Sequence, residues 1–276
     1  MRVMALEKIL VTGDTHSRVA ERLRSIRDNM SEYEPEKTAV IVLGDLGLLY
    51  YLDKKDYKHK KEASAYGYTI YAVRGNHEAR PSEGLGMHLI HDDFVGGTVW
   101  IEDEFPLIRY FCDWGHYNIM GRKTLVIGGA YSVDKWYRLQ NGWTWFPYEQ
   151  LTESEMTACL KNATGREWDL ILSHTCPFRY LPEDLFLRSV DQSTVDQTME
   201  KWMDKLISDI PPGFIHLWGH FHADRIEAPY CEMFYTEVED IETIFSRWNK
   251  YRDTGELDWW IPKSEKFYMF HKDKNE

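Results

Sequence analysis

Short apolar runs recur along the chain, and five of them end in a Gly- or Ser-led polar step that carries Asp, Asn or His. The five runs lie at residues 9–11, 39–43, 70–73, 170–172 and 214–218. An apolar run bounded by Gly is typical of a buried strand, and α/β proteins build their sites in the loops at the carboxyl ends of such strands. The pattern therefore predicts five strands whose ends supply one shared site.

Apolar residues at helical spacing predict amphipathic helices between these runs. The helix after the first run places four apolar residues on one face, namely Val19, Leu23, Ile26 and Met30. The Lys-rich stretch 50–66 is typical of a helix with a solvated face. Two capping boxes, Thr152 with Glu155 and Thr194 with Gln197, predict two further helix starts. Strands that alternate with helices in this way predict an α/β fold.

Further strand patterns lie between and after these elements. Residues 99–120 are aromatic and β-prone, and another apolar run at 124–127 ends in Gly128-Gly129. Short β-prone stretches return across 234–245. The polar chain end is expected to fray from about residue 272.

Length and charge narrow the classes of function. The 276 residues are 43% hydrophobic, and because the five polar steps reach from Asp14 to His222, we expect one domain over residues 1–276. The net charge of -12 disfavours long nucleic acid, whose binders need a broad positive surface. Bound divalent ions would supply local positive charge, so an anionic substrate remains compatible with this composition.

The cysteines and the chain start indicate the compartment. Cys112, Cys159, Cys176 and Cys231 are far apart and form no Cys-x-x-Cys pair, which favours reduced thiols. The start at 1–8 carries charged residues and no apolar leader, and no run approaches the length of a membrane span. We therefore expect a cytoplasmic protein without a membrane partner.

The five polar steps carry metal-ligand chemistry. They read Gly13-Asp14-Thr15-His16, Gly44-Asp45, Gly75-Asn76-His77, Ser173-His174 and Gly219-His220-Phe221-His222. Two divalent ions roughly 3.5–4 Å apart can clamp both oxygens of a phosphoryl displacement, and they need a bridging carboxylate. Asp45 is the natural bridge. Mixed His, Asp and Asn ligands suit Zn, Mn and Fe, whereas Mg or Ca would be held almost wholly by oxygen.

These steps resemble the signature of the calcineurin-like metallophosphoesterase superfamily, which is Gly-Asp-x-His, Gly-Asp, Gly-Asn-His-Glu, a later His and Gly-His-x-His. All five blocks stand here in the family's order, and 75–78 is the complete third block. The stretch 128–138 is similar to one found in bacterial and phage-type members. The resemblance implies two mixed β-sheets packed as a sandwich and flanked by helices, in four layers of αββα order.

The resemblance also implies the site's roles. Asp14, His16 and His222 would hold one metal ion; Asn76, His174 and His220 would hold the second, and Asp45 would bridge them. A hydroxide held between the ions would attack phosphorus, with Mn favoured over Fe and Zn as the metal. His77 would act as general acid toward the leaving oxygen. Arg74 would bind a phosphate oxygen, for which a planar guanidinium is suited.

One departure from the phosphoprotein phosphatase branch concerns the second block. Asp45 is followed by Leu46-Gly47, where that branch carries a further acid and Arg. We hypothesise that Lys135 or Arg138 supplies the missing positive charge. We also hypothesise that nearby aromatic residues wall the substrate cleft, namely Trp136, Tyr137, Trp143, Trp145 and Phe146.

The predicted function is hydrolysis of a phosphate monoester, on a phosphorylated small molecule, a nucleotide or a phosphoprotein. One alternative is a phosphodiesterase or nuclease that acts on cyclic or short nucleotides. Another is a non-catalytic scaffold that metal stabilises. Individually, Asp and His residues of this kind also serve as caps or core hydrogen-bond partners, and the sequence alone is equally compatible with Lys135 and Arg138 as ordinary surface residues.

Overall fold

The computed structural model describes residues 5–188 and 190–256, so the tail predicted to fray from about residue 272 lies outside the described residues. Within these ranges the strands are β1 Lys8–Thr12, β2 Thr38–Val42, β3 Thr69–Ala72, β4 His88–Asp92, β5 Gly97–Ile101, β6 Ile108–Phe111, β7 Trp114–Ile119, β8 Arg122–Ile127, β9 Leu170–Ser173, β10 Ile215–Trp218, β11 Arg225–Ala228, β12 Cys231–Met233 and β13 Val238–Asp240. The α-helices are α1 Val19–Asn29, α2 Lys54–Ser64, α3 Lys135–Gln140, α4 Glu153–Ala163, α5 Thr198–Asp209 and α6 Ile241–Thr254.

The described strands form two mixed sheets. The first has seven strands in the order β13-β1-β2-β3-β6-β5-β4, and the second has six in the order β11-β12-β10-β9-β8-β7. Strands β1, β2 and β3 pair in parallel, as do β8, β9, β10 and β12 in the second sheet. All five strands predicted from the apolar runs are therefore present, and in each sheet their carboxyl ends share one edge.

Alternate strand residues divide between two faces and so define the layers. One core lies between the sheets, where Ile9 and Val11 of β1 pack in the same cluster as Leu170 and Leu217 of the second sheet. Leu10 faces outward with the apolar side chains of α1. On the far side, the outer face of the second sheet packs against α4 and α5. The predicted αββα sandwich is confirmed.

The predicted short strands across 234–245 are wrong beyond Asp240, because α6 begins there. The Asp240 carboxylate accepts from the Glu242 N–H at 2.7 Å and caps the helix. Ile241, Ile244 and Trp248 are buried at the spacing of one helical face. The helix signal was present in the sequence, but the preceding β-prone residues obscured it.

One of the two predicted capping boxes is confirmed and the other is wrong. Thr152 and Glu155 form the reciprocal bonds of a capping box at the start of α4. Thr194 instead ends a short 3-10 turn, and α5 begins at Thr198, whose N–H donates to the Asp196 carboxylate. None of the helices in the described part of the chain combines the length and the apolar character that a membrane crossing requires.

Replacing Trp248 with Ala should lower the free energy of unfolding by about 3–5 kcal/mol. The indole is 1% exposed, lies in the core between the sheets, and donates to Glu232 at 2.6 Å. Urea unfolding would measure the change. The exposed Ser246→Ala on the same helix is the matched control, with an expected change within about 0.5 kcal/mol. A loss below about 1 kcal/mol for Trp248→Ala would contradict the docking of α6.

Candidate metal centre

The loops that follow the strands carry strained backbone at the predicted ligands. His16, Asp45, His220 and His222 have φ values of 44°, 47°, 70° and 53°. Positive φ is uncommon for residues other than Gly, and such strain persists only where the surrounding structure holds it, often at functional sites. The polar steps therefore direct their side chains toward one another at a cost in backbone strain, which packing elsewhere in the protein offsets.

Glycine at the polar steps lets the loops approach one another closely. A Cβ at Gly44 would collide with the His174 ring, and a Cβ at Gly75 would collide with the Asp45 carboxylate. Each position therefore admits only Gly without displacing a predicted ligand. The Gly that leads these two steps is needed for the contact between loops of different strands.

Asp14, His16 and His222 form the first donor group. The Nε2 atoms of His16 and His222 lie 2.9 Å apart. Asp14 Oδ2 lies 3.3 Å from His222 Nε2 and 3.9 Å from His16 Nε2. The backbone N–H of His220 donates to Asp14 Oδ1 at 3.0 Å and orients the carboxylate. Three donor atoms thus converge although 206 positions separate His16 from His222.

Asn76, His174 and His220 form the second donor group. Asn76 Oδ1 lies 2.8 Å from His174 Nε2 and 3.1 Å from His220 Nδ1. His174 Nδ1 donates to the Leu43 carbonyl at 2.8 Å, which leaves the Nε2 lone pair free to face Asn76. Burial lowers the pKa of His220 to about 3, so its imidazole is neutral and can offer a lone pair to a cation.

Asp45 lies between the two donor groups. Its Oδ2 is 3.6 Å from His174 Nε2 in the second group and 3.9 Å from His16 Nδ1 in the first. Its Oδ1 accepts from the His77 N–H at 2.9 Å. Burial alone would raise the pKa of Asp45, but three neighbouring histidines, His77 foremost, lower it well below its usual range. A buried carboxylate ionised in this position suits a bridge between two cations.

The donor set fits divalent metal ions. Asp14 is 2% exposed, and its buried Oδ2 makes no hydrogen bond within the described structure. Burying a carboxylate oxygen without a hydrogen bond is costly, and a metal ion would remove that cost. Burial raises the pKa of Asp14, but His222 and His174 outweigh it and the net shift is downward. The mixture of imidazole nitrogens and carboxylate or amide oxygens matches Zn, Mn and Fe.

Buried residues that the motifs did not identify support the ligands. Asn76 Nδ2 donates to Ser132 Oγ at 2.9 Å, and Ser132 Oγ donates to Glu149 at 2.5 Å. This series of hydrogen bonds fixes the Asn76 amide so that its oxygen faces the histidines. Glu78 accepts from the N–H groups of Gly47 and Gly75 and joins two ligand loops. Glu78 closes the third sequence block, whereas nothing in the sequence singled out Glu149.

His77 lies at the rim of the two donor groups. Its ring is edge-on to His16 with centroids 5.3 Å apart and is stacked at 6.2 Å against Tyr50. Burial lowers the pKa of His77, the Asp45 charge opposes that effect, and the Arg138 charge adds to it. The imidazole therefore stands beside the candidate ligands, in a position from which it could donate a proton to a leaving oxygen.

Arg74 is buried beneath the ligand loops. Its Nε donates to Asp113 at 2.5 Å, and its Nη1 donates to the carbonyls of Glu149 and Gly75. It is 2% exposed, and its Nη2 faces Gly129. Arg74 therefore braces the floor of the site; its buried Nη2 has no hydrogen-bond partner among the described residues, and its phosphate contact stays a prediction.

The two candidate cations at 128–138 differ in position. Lys135 Nζ lies 4.1 Å from the centroid of the Trp145 ring. Arg138 is fully buried; its Nη1 donates to Ser132 Oγ at 3.4 Å, and its Nε and Nη2 have no hydrogen-bond partner among the described residues. Arg138 is thus one hydroxyl away from Asn76. Both residues belong to the helix α3 at Lys135–Gln140.

A cavity of about 420 Å³ opens beside the donor groups. Its described walls include five predicted site residues, namely Asp45, Asn76, His77, His220 and His222. The aromatic residues predicted to wall the cleft are not among them, and Trp136, Tyr137 and Trp143 are more than half exposed. The aromatic-wall hypothesis therefore fails for this cavity: Trp136 and Tyr137 on α3 are turned toward solvent, and Phe146 is buried in the core that packs against α1.

Comparison with known proteins gives the family of the chain. The model of a family described as calcineurin-like phosphoesterase matches residues 7–224, and no curated protein matches the chain. Among solved structures, TT1561 of Thermus thermophilus is 13% identical with a TM-score of 0.43, covering 85% of this chain and 98% of that one. The phosphopantetheinyl hydrolase (PptH) from Mycobacterium tuberculosis is 11% identical with a TM-score of 0.41, covering 94% and 95%. Because the family model spans most of its length, the chain belongs to the calcineurin-like phosphoesterase family.

Proposed function

We propose that the protein hydrolyses phosphate monoesters with two divalent ions held by the seven predicted ligands. Family membership implies a hydrolase of phosphoester bonds, and the structure contains groups of residues able to hold metal. The observation that carries the proposal is the position of Asp45 Oδ2, within 4 Å of histidine nitrogens from both donor groups. Bound ions would supply Lewis-acid charge and lower the pKa of water toward neutrality. Mn is the first ion to test.

The chain's own residues then divide the remaining work. The two donor groups and Asp45 orient the phosphate by fixing the metal positions, and Ser132 holds Asn76 in place. His77 delivers a proton to the leaving oxygen, a role supported by its position next to Asp45 and His16.

In this proposal Arg138 provides positive charge to the phosphate from behind Ser132, since it is fully buried and lies outside the described walls of the cavity. Its unpartnered buried nitrogens and its position one hydroxyl from Asn76 support the assignment. A second positive charge suits the dianion of a monoester better than the monoanion of a diester. The burial of Arg74 and the carboxylates of the cavity favour the second candidate, a phosphodiesterase, because a diester carries less negative charge.

Asp45→Asn should lower kcat/KM by at least about 100-fold, since even residues that only support metal ligands are worth about 10–100-fold. The measurement uses metal-stripped protein reloaded with Mn, an aryl phosphate monoester and the matching diester. The exposed Asp93→Asn is the control. A faster diester reaction would select the second candidate. Metal that raises the melting temperature without any hydrolysis would instead support a scaffold.

His77→Gln should slow hydrolysis of an alkyl phosphate by about 10²–10⁴-fold. The same change should slow a nitrophenyl phosphate by no more than about tenfold, because that leaving group departs without a proton. Steady-state rates on both esters give the comparison, with the exposed His91→Gln as control. Equal losses on the two esters would argue against proton delivery by His77.

Arg138→Met should raise KM and the inhibition constant for inorganic phosphate by about 10–100-fold, the worth of a hydrogen bond to a charged group. Lys135→Met should change both by less than about fivefold, because a partly exposed charge contributes little. Thermal melting checks that each variant is folded, and Arg138→Lys should recover part of the affinity. Unchanged phosphate inhibition in a folded Arg138→Met protein would remove Arg138 from the site.

A further inference from the structure

The cavity beside the metal centre has two unlike walls. One wall is formed by the five predicted site residues named above, four candidate ligands and His77. The other comes from residues 181–187, residues 190–197 and their surroundings, and its apolar members include Leu181, Leu185, Phe186, Leu187, Val190 and Phe221. A volume of about 420 Å³ falls in the range of small-molecule sites, which are mostly apolar with a few placed polar groups. A phosphate held at the ligands would therefore direct its alcohol part along an apolar surface.

The charges of the cavity have one sign. Asp134, Asp196 and Glu200 line it, and no Lys or Arg belongs to its described walls. A substrate with further phosphates in its alcohol part would bring like charges together in a partly enclosed space, where their repulsion is strong. An alcohol part that is uncharged or cationic meets no such repulsion.

Glu200 presents a polar group that the ligand set and His77 do not use. It lies in the first turn of α5 and is 4% exposed. Its Oε1 accepts from Thr175 Oγ1 at 2.8 Å, while its buried Oε2 has no hydrogen-bond partner among the described residues. Thr175 directly follows His174, so the contact also ties Glu200 to a ligand loop.

The other two carboxylates of the wall are already engaged. Asp196 accepts from the Thr198 N–H and from Gln150 Nε2. Asp134 lies 3.8 Å from Arg138 Nη1. A buried acceptor left without a donor costs about 1–3 kcal/mol, so Glu200 Oε2 is the position where a substrate donor gains most. Burial raises the pKa of Glu200 to about 7, as expected for a carboxyl group that lacks a full set of donors.

We infer that the substrate is a phosphate ester of an apolar alcohol that carries a hydroxyl or an amine or amide N–H, and that this group donates to Glu200 Oε2. The inference rests on the proposed function for the placement of the phosphate. It deepens that function by naming the class of alcohol, which is amphipathic and without further phosphates.

Binding of non-hydrolysable phosphonates separates this inference from catalysis. The full chain, reloaded with Mn, is titrated calorimetrically with ω-hydroxyalkylphosphonates from butyl to octyl and with plain alkylphosphonates of the same lengths. At one length, and at a pH above about 7 where Glu200 is ionised, the hydroxyl should improve Kd by about tenfold or more, the worth of a hydrogen bond to a charged group. A nucleoside diphosphate should bind more weakly than either series.

Three variants test whether Glu200 is the recognising group. Glu200→Met should abolish the ratio of affinities between the hydroxylated and the plain ligand. Glu200→Gln keeps a carbonyl acceptor and should retain part of that ratio. If the Glu200→Met protein does not fold, the reduced ratio of Glu200→Gln still tests the role of Glu200. Glu183→Gln, on the neighbouring segment but outside the cavity walls, is the matched control and should retain the full ratio.

The outcomes distinguish recognition of the alcohol part from hydrolysis of the ester. No gain from the hydroxyl at any length, or a gain that survives both Glu200 variants, would overturn the inference. Tighter binding of the nucleoside diphosphate would overturn the charge argument and with it the alcohol class. Hydrolysis of the corresponding alkyl phosphates is measured separately. If the alkyl phosphates are not hydrolysed but the Glu200-dependent affinity ratio is observed, the proposed function is wrong and the inference about the alcohol still holds.

Discussion

Parallel strand pairing in two facing sheets is the constraint on which the site depends. It brings the carboxyl ends of β1, β2 and β3 to one edge and those of β9 and β10 to the facing edge. The two edges are joined by hydrogen bonds from the His174 ring to the Leu43 carbonyl and from the His220 N–H to Asp14. Residues far apart in the sequence therefore converge, and the site requires the two sheets to pack in this relative position.

That convergence buries negative charge. Asp14 and Asp45 are each 2% exposed and lie among histidines rather than beside Lys or Arg. Burying two carboxylates this close together is costly, so the folded arrangement gains stability from any cation that binds there. The close packing of the ligand loops therefore accounts both for their strained backbone and for donor groups that could bind a metal ion. The glycines at positions 44 and 75 permit it, and Glu78 secures the loops by accepting from their N–H groups.

Segments outside the ligand strands form the rest of the functional surface. Residues 131–138 bring Ser132 against the candidate ligand Asn76 and Arg138 against Ser132, while residues 181–187 and 190–200 contribute apolar and acidic side chains to the wall of the cavity. The chain as a whole is acidic, and acidic residues also line the cavity, namely Asp134, Asp196 and Glu200. Metal ions held by the candidate ligands would provide the positive charge that an anionic group needs, and the surrounding wall would then contact what is attached to that group.

The sequence pattern by itself determined the α/β class, the five strands and the polar steps that follow them, because an apolar run followed by a polar step is a local signal of a strand end. The sandwich arrangement and the roles of the seven candidate ligands came from the family resemblance of those steps. It did not determine that Arg74 would face Asp113 rather than the cavity, since that partner is 39 positions away on another loop. Nor did it identify Glu149 or Glu200, whose roles exist only through contacts with Ser132 and Thr175. Local periodicity places a residue on an element, whereas the direction, burial and partners of its side chain are decided by the distant elements that pack against it.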